Sequence, residues 1–153
     1  MKRRTFLKNT LAVTATGTAI GTGLISGNAL ASEEKANPFK ATSLEDALKA
    51  AGITEHEASD KITVKAPDLA ENAAVVPVEV SSTLEGASEV RIFIAENPTP
   101  HAANFMLGEG SEALVKCRFK MGKSSDVIGV FKVGDKYFSA KKAVKVTKGG
   151  CGG

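Results

Sequence analysis

Two cysteines and two histidines are the only soft or near-neutral titrating side chains in the 153-residue chain. Cys151 stands between Gly149-Gly150 and Gly152-Gly153 at the extreme C-terminus. Glycine has no side chain and the widest backbone freedom, so four of them make a thin, flexible arm. The six residues after Thr147 span about 20 Å at roughly 3.3–3.6 Å each, with the thiol some two-thirds of the way along. Such an arm can carry a thiol into a narrow active site that excludes a folded body. Nothing beside Cys151 activates it: no helix N-terminus lies beneath it, and its nearest charged neighbour is Lys148. An exposed cysteine with a pKa of about 8.5 is only a few per cent thiolate at pH 7. The pattern points to a handle on which other proteins' chemistry acts.

The remaining candidates carry less. Cys117 falls in an alternating apolar stretch beside Val115 and Phe119, where a buried free thiol packs as a small hydrophobe. A Cys117–Cys151 disulfide is the alternative in an oxidising compartment, at the cost of tying the arm down. His56 sits in the polar run Thr54-Glu55-His56-Glu57 and is expected to be solvated. His101 follows the proline-braced loop Asn97-Pro98-Thr99-Pro100, where a histidine packs near a partner or the arm, or does nothing specific. No Cys/His spacing suits zinc, no glycine loop opens a helix to cradle phosphate, and no nucleophile elbow is present. No metal or cofactor is expected.

These residues need a body to hold them. Residues 1–31 have the character of an export signal: Arg3-Arg4 with Phe6-Leu7-Lys8, a weakly apolar stretch from Leu11 to Ile25, then Ala29-Leu30-Ala31 as a small-x-small cleavage site. That stretch is too short and too rich in Thr and Gly to span a bilayer, which takes about 20 apolar residues. Cleavage before Ser32 gives a 122-residue chain expected to be soluble in the periplasm, with no membrane association. The signal holds four basic residues and no acid, so 16 basic residues then face 17 acidic ones. The basic character of the whole chain is therefore no argument for nucleic acid. Residues 32–112 carry 15 acids and six bases, whereas residues 113–153 carry two acids and ten bases. Such segments either pair within the fold or, through Lys141, Lys142, Lys145 and Lys148, attract an anionic or acidic partner.

Ser43 to Gly52 reads as a short helix: Thr42 or Ser43 caps it, Glu45 and Asp46 fill its first turn, and Gly52 stops it. Beyond it the period becomes strand-like. Ile62–Val64 ends at Pro67. Ala74–Ser81 alternates Val76, Val78 and Val80, and its Pro77 argues for an edge or a bulge. Glu89–Ala95 puts Val90, Ile92 and Ile94 on one face and Arg91 on the other, and Ala113–Met121 follows. Val127–Val133 and Tyr137–Thr147 flank Gly134-Asp135, a two-residue hairpin turn. Short strands, regular turns and one helix indicate an all-β, immunoglobulin-like β-sandwich over residues 32–147, followed by a flexible arm at 148–153.

The terminal Lys145-Val146-Thr147-Lys148-Gly149-Gly150-Cys151-Gly152-Gly153 resembles the carrier arm of the SoxY family of thiosulfate-oxidation carrier subunits. So do Ile62-Thr63-Val64 with Ala66-Pro67 and Ala70-Glu71-Asn72, Val75-Val76-Pro77-Val78, and Asn97-Pro98-Thr99-Pro100 followed by Ala103-Asn104-Phe105. With the twin-arginine signal the similarity runs over essentially the whole chain. Cys117 departs from it, since the family relies on the tail cysteine alone. The resemblance implies a heterodimer with a SoxZ-like β-protein. It also implies three enzymatic partners: a c-type cytochrome complex that joins thiosulfate to the thiol, a dimanganese hydrolase that releases sulfate, and in complete pathways a molybdenum sulfane dehydrogenase. Cys151 would hold the intermediate, and Gly149, Gly150, Gly152 and Gly153 would give it access. The chain itself would not be an enzyme.

Three other readings compete. A ubiquitin-like sulfur carrier would use the terminal Gly152-Gly153 carboxylate, but export and the strand pattern oppose it. A thiol oxidoreductase pairing Cys151 with Cys117 lacks Cys-x-x-Cys and a base. A purely structural pairing subunit would leave the tail inert.

Overall fold

The computed structural model describes residues 36–147. The signal at 1–31 and the arm at 148–153, with Cys151 and its four glycines, lie outside the described residues. A single 3-10 turn, Pro38–Lys40, precedes helix α1 (Leu44–Ala50). Nine strands follow: β1 (Glu57–Ala58), β2 (Ile62–Lys65), β3 (Leu69–Ala70), β4 (Val76–Ser82), β5 (Ala87–Ile94), β6 (His101–Met106), β7 (Leu114–Phe119), β8 (Ser125–Val133) and β9 (Lys136–Val146).

They form an immunoglobulin-like β-sandwich. One sheet runs β1-β9-β8-β5-β6, with β3 also on β9; the other runs β2-β4-β7. The alternation legible in the sequence sets which face is inward. Val76, Val78 and Val80 of β4 and Val90, Ile92 and Ile94 of β5 all point between the sheets, with Val127, Phe131, Val144, Met121 and Ile62. Removing each such aliphatic side chain from water contributes about 1.5–3 kcal/mol. The sheets meet closely at Gly129 of β8. A Cβ there would lie 2.5 Å from Val80 Cγ1 and 3.4 Å from Val64 Cγ2, so only glycine fits without a shift. This contact places β8 beneath β4 and β2, and therefore β7 over the β5–β6 side.

Helix α1 covers the opposite face of the larger sheet. Ser43 is its N-cap, with Oγ accepting from Asp46 N at 3.1 Å. At its other end Gly52, with φ 74°, donates to Lys49 O at 2.9 Å, and Ile53 N donates to Leu48 O at 2.9 Å. This is a Schellman stop, closed by the Leu48–Ile53 apolar contact. Ala47 and Ile53 pack on Phe93 and Val130 as a second, smaller core.

The β8–β9 hairpin turns at Gly134-Asp135, with Val133 opposite Lys136. Pro77 needs a finer statement than the sequence allows. β4 is the central strand of its sheet, yet β2 pairs it only from Glu79 to Ser82. At Pro77 the strand has β7 alone beside it, so one side of β4 is free there, the edge-like setting in which a strand proline is tolerated. β1, β3 and β6 were not expected from the sequence.

Candidate functional site

Thr147, the last described residue, follows directly on β9, and the structure shows how this end of the strand is held. Lys145 N donates to Asp68 O at 2.9 Å and Thr147 N to Ala70 O at 3.3 Å, so β3 runs parallel to the last residues of β9. Thr147 Oγ1 donates to Glu71 O at 3.4 Å. On the other side Val146 N donates to Ser124 Oγ at 3.0 Å. Val144 is buried beneath, and the Lys142 ammonium bonds the Asp68 carboxylate. That ammonium holds the Asp68 carboxyl below its ordinary range, first by the hydrogen bond and then by charge. The backbone N–H groups of Lys145, Val146 and Thr147 are thus all bonded, and the first glycine of the flanked cysteine, Gly149, comes two residues later.

The two readings of the C-terminal lysines divide between them. Lys142 pairs with Asp68, and Lys141 with Asp126 at 3.1 Å, so both serve the fold. Lys145 is exposed and makes no ion pair among the described residues. Lys148 lies outside them.

Cys117 corrects an expectation. It sits opposite Val78 on the inward face of its sheet, as the alternation implies, but β7 is an edge strand and the thiol is only half-buried. Partial desolvation raises its pKa, which keeps it a thiol. It borders a shallow groove of about 510 Å³ with Pro67, Pro77, Lys116 and Arg118. Sequence alternation reports which face a residue takes, not how near it lies to a sheet edge.

His56 is solvated as its sequence reading expects, whereas His101 is placed differently. His56 is exposed, yet its Nδ1 lies 2.8 Å from Ser139 Oγ, and the next two residues form β1 against Phe138 and Ser139 of β9. His101 is not in a loop: it opens β6, is 3 % exposed, and its ring stacks between Phe39 (4.2 Å) and Phe93 (4.7 Å). Neither ring nitrogen has a hydrogen-bond partner among the described residues. Burial first, then the Arg91 charge, push its pKa down to about 4, while the Ala103 backbone and the Glu89 charge act in the other direction. Arg91 itself is held by Glu89, with Nε to Oε1 at 2.7 Å, and its Nη1 donates to the Ala51 carbonyl at the end of α1. These groups fasten the helix to the sheet and lie apart from the arm's root in the topology. The nearest legible signal for His101 was Phe93, a large apolar residue on the face otherwise occupied by Arg91.

The family model for "Sulfur oxidation protein SoxY" matches residues 47–151. Among solved structures, the sulfur carrier protein SoxY from Chlorobium limicola f thiosulfatophilum superposes with a TM-score of 0.63 at 36 % identity. That match covers 71 % of this chain and 95 % of the Chlorobium chain. No curated protein matches. A family match over most of the chain, together with a structural match that spans nearly all of its relative, places this chain in the SoxY family of sulfur-oxidation proteins.

Proposed function

We propose that this chain is a periplasmic sulfur carrier that holds thiosulfate-derived intermediates covalently on Cys151. Residues 1–31 direct twin-arginine export, residues 32–147 form the body, and residues 148–153 are the arm. The observation that carries this reading is the contrast at Thr147. Backbone and side-chain bonds secure the strand up to that residue. Directly after it come Lys148 and a cysteine flanked by glycine pairs. A fixed root with a side-chain-poor extension lets a thiol enter a channel while the body stays outside it.

The chemistry follows from a thiol with no activating neighbours in the sequence. A cytochrome partner accepts two electrons as the Cys151 thiol and thiosulfate join through a new S–S bond, releasing the thiol proton. Hydrolysis then cleaves the terminal sulfone as sulfate, leaving a persulfide on Cys151. In a complete pathway a sulfane dehydrogenase oxidises that outer sulfur. The chain supplies attachment and access, and the enzymes supply the acid–base and redox groups. A SoxZ-like β-protein pairs with the body.

Mass spectrometry of protein purified from cells given thiosulfate tests the assignment, with sulfur-bearing adducts expected on the peptide containing Cys151. Cys151→Ser should abolish loading while leaving the melting temperature unchanged. Gly150→Val and Gly152→Val add β-branched bulk and stiffen the arm. They should alkylate normally with a small reagent yet be processed slowly. Adducts on Cys117 or on the terminal carboxylate would overturn the reading, as would valine variants processed at the native rate.

A further inference from the structure

β7 is an edge of the smaller sheet: it pairs with β4 on one side and has no strand on the other among the described residues. Its side chains alternate. Val115, Cys117 and Phe119 face inward and are only partly buried, whereas Lys116, Arg118 and, one residue beyond the strand, Lys120 are exposed. Basic residues thus recur at every second position along the edge.

The acid available does not balance them. Glu79 of β4 lies opposite Lys116 and pairs with it at 3.0 Å, but it also pairs with Lys65 of β2 at 2.9 Å. Arg118 stands opposite Pro77, and neither it nor Lys120 makes an ion pair among the described residues. Along β2, β4, β7 and Lys120, four cations face one carboxylate. β7 also ends close to Thr147. Met121, two residues beyond the strand, donates its N–H to Ala73 O at 2.8 Å, and Thr147 N donates to Ala70 O at 3.3 Å. One short segment, residues 70–73, therefore links the end of β7 to the residue after which the sequence continues to Cys151.

We infer that the free edge of β7 accepts, by antiparallel strand addition, an extended acidic segment of a protein that acts on the Cys151 thiol, a reading that rests on the carrier assignment. Strand addition satisfies the unpaired backbone groups of an edge, and side chains at alternate positions set its specificity. A strand with Asp or Glu at every second position sets carboxylates opposite Lys116, Arg118 and Lys120. Apolar residues between those acids cover Val115, Cys117 and Phe119. The same three cations reject other occupants of a free edge. A second β7 or another basic strand meets like charge, and a neutral strand must strip water from cations it cannot pair. A partner seated on β7 stands at the same end of the body as Thr147. The six residues after Thr147, about 20 Å when extended, are long enough to enter that partner's active site.

The exported chain carrying Cys151→Ser, which removes thiol-linked dimers, is titrated at low ionic strength with a synthetic peptide of alternating Glu and Val. One short strand buries less than a standard interface, so the dissociation constant should be about 100 μM and should rise with added salt. Hydrogen exchange should slow at Leu114–Phe119 in the complex. Arg118→Glu with Lys120→Glu leaves the Lys116–Glu79 pair intact and should weaken binding about tenfold, with the circular dichroism spectrum unchanged. Lys40→Glu with Lys136→Glu makes the same change in net charge at exposed positions elsewhere and should leave binding unaltered. With Cys151 native, in cells given thiosulfate, the Arg118→Glu, Lys120→Glu chain should load sulfur several times more slowly while alkylating normally with a small reagent. The inference is overturned if no binding appears up to about 2 mM peptide. It is equally overturned if a Lys-Val peptide binds as well, if protection falls on another strand, or if phosphatidylglycerol vesicles bind in place of the peptide. Loading at the native rate in the β7 variant breaks this inference alone, whereas no loading of the unaltered chain breaks the carrier assignment.

Discussion

On the face of the larger sheet that meets β2, β4 and β7, the buried side chains are almost all aliphatic, and one contact, Gly129 against Val80, sets the spacing. On the opposite face α1 and the 3-10 turn rest on Phe93 and Val130. There the cover is fastened by polar groups as well: the Glu89–Arg91 pair, its reach to the Ala51 carbonyl, and His101 between two phenylalanines. The inner layer is insensitive to acid because its one titrating group, the half-buried Cys117 thiol, is already protonated at neutral pH. The outer layer holds a histidine that is buried only while neutral. Two covers on one sheet thus respond to different perturbations, the first to volume and the second to pH.

Removing the shared anchor of the outer layer should have the largest effect. Phe93→Ala deletes a fully buried ring and one wall of the histidine stack, at about 3–5 kcal/mol by urea denaturation. It should also bring the His101 pKa back toward its ordinary value, because the ring is then hydrated. A Phe93→Ala protein that keeps the native acid slope would break the comparison.

His101 comes next, and its sign is fixed by the direction of its shift. Its pKa is near 4 when folded and about 6.5 when free, so between those values the unfolded chain binds more protons. Its contribution is complete above about pH 6.5 and is lost as pH falls toward 4, by on the order of 3 kcal/mol. His101→Leu should match the native protein at pH 7, since it also removes two unpartnered ring nitrogens, and exceed it at pH 4.5. Asp68 and Glu79, whose lysine partners lower their pKa values, add an acid slope to both proteins and cancel in the difference. Equal urea midpoint shifts in the two proteins would remove His101 as the titrating group.

Gly129→Ala probes the inner layer. Its new methyl meets Val80 and should cost about 1–3 kcal/mol, equally at pH 7 and pH 4.5. Val80→Ala in the same chain should recover part of that loss, and a double-mutant cycle measures how much. Ser43→Ala, which removes the cap of α1, should have the smallest effect, about 1 kcal/mol in thermal unfolding.

Much of the body was legible because local chemistry and tertiary contacts agree. Ser43 and Gly52 bound a helix whichever surface it meets, and the Val76-Val78-Val80 and Val90-Ile92-Ile94 alternations select a buried face by period alone. β6 is not legible in the sequence because Ala102 and Ala103 sit at a register shift that breaks the alternation, and Pro98 and Pro100 give the segment the look of a loop. β1 and β3 have two residues each and no period; they are strands only because β9 lies beside them.

The sequence by itself determined the sandwich class, the β8–β9 turn, the capped helix and the glycine-flanked Cys151, since each depends on residues adjacent in the chain. Only the tertiary structure decided the rest. It stacked His101 between residues 62 positions before it and eight positions before it, left Cys117 half-exposed at an edge, and fixed Thr147 against Ala70 and Glu71. Those outcomes depend on which segments become neighbours when the two sheets close on their core, and the sequence carries no local record of that proximity.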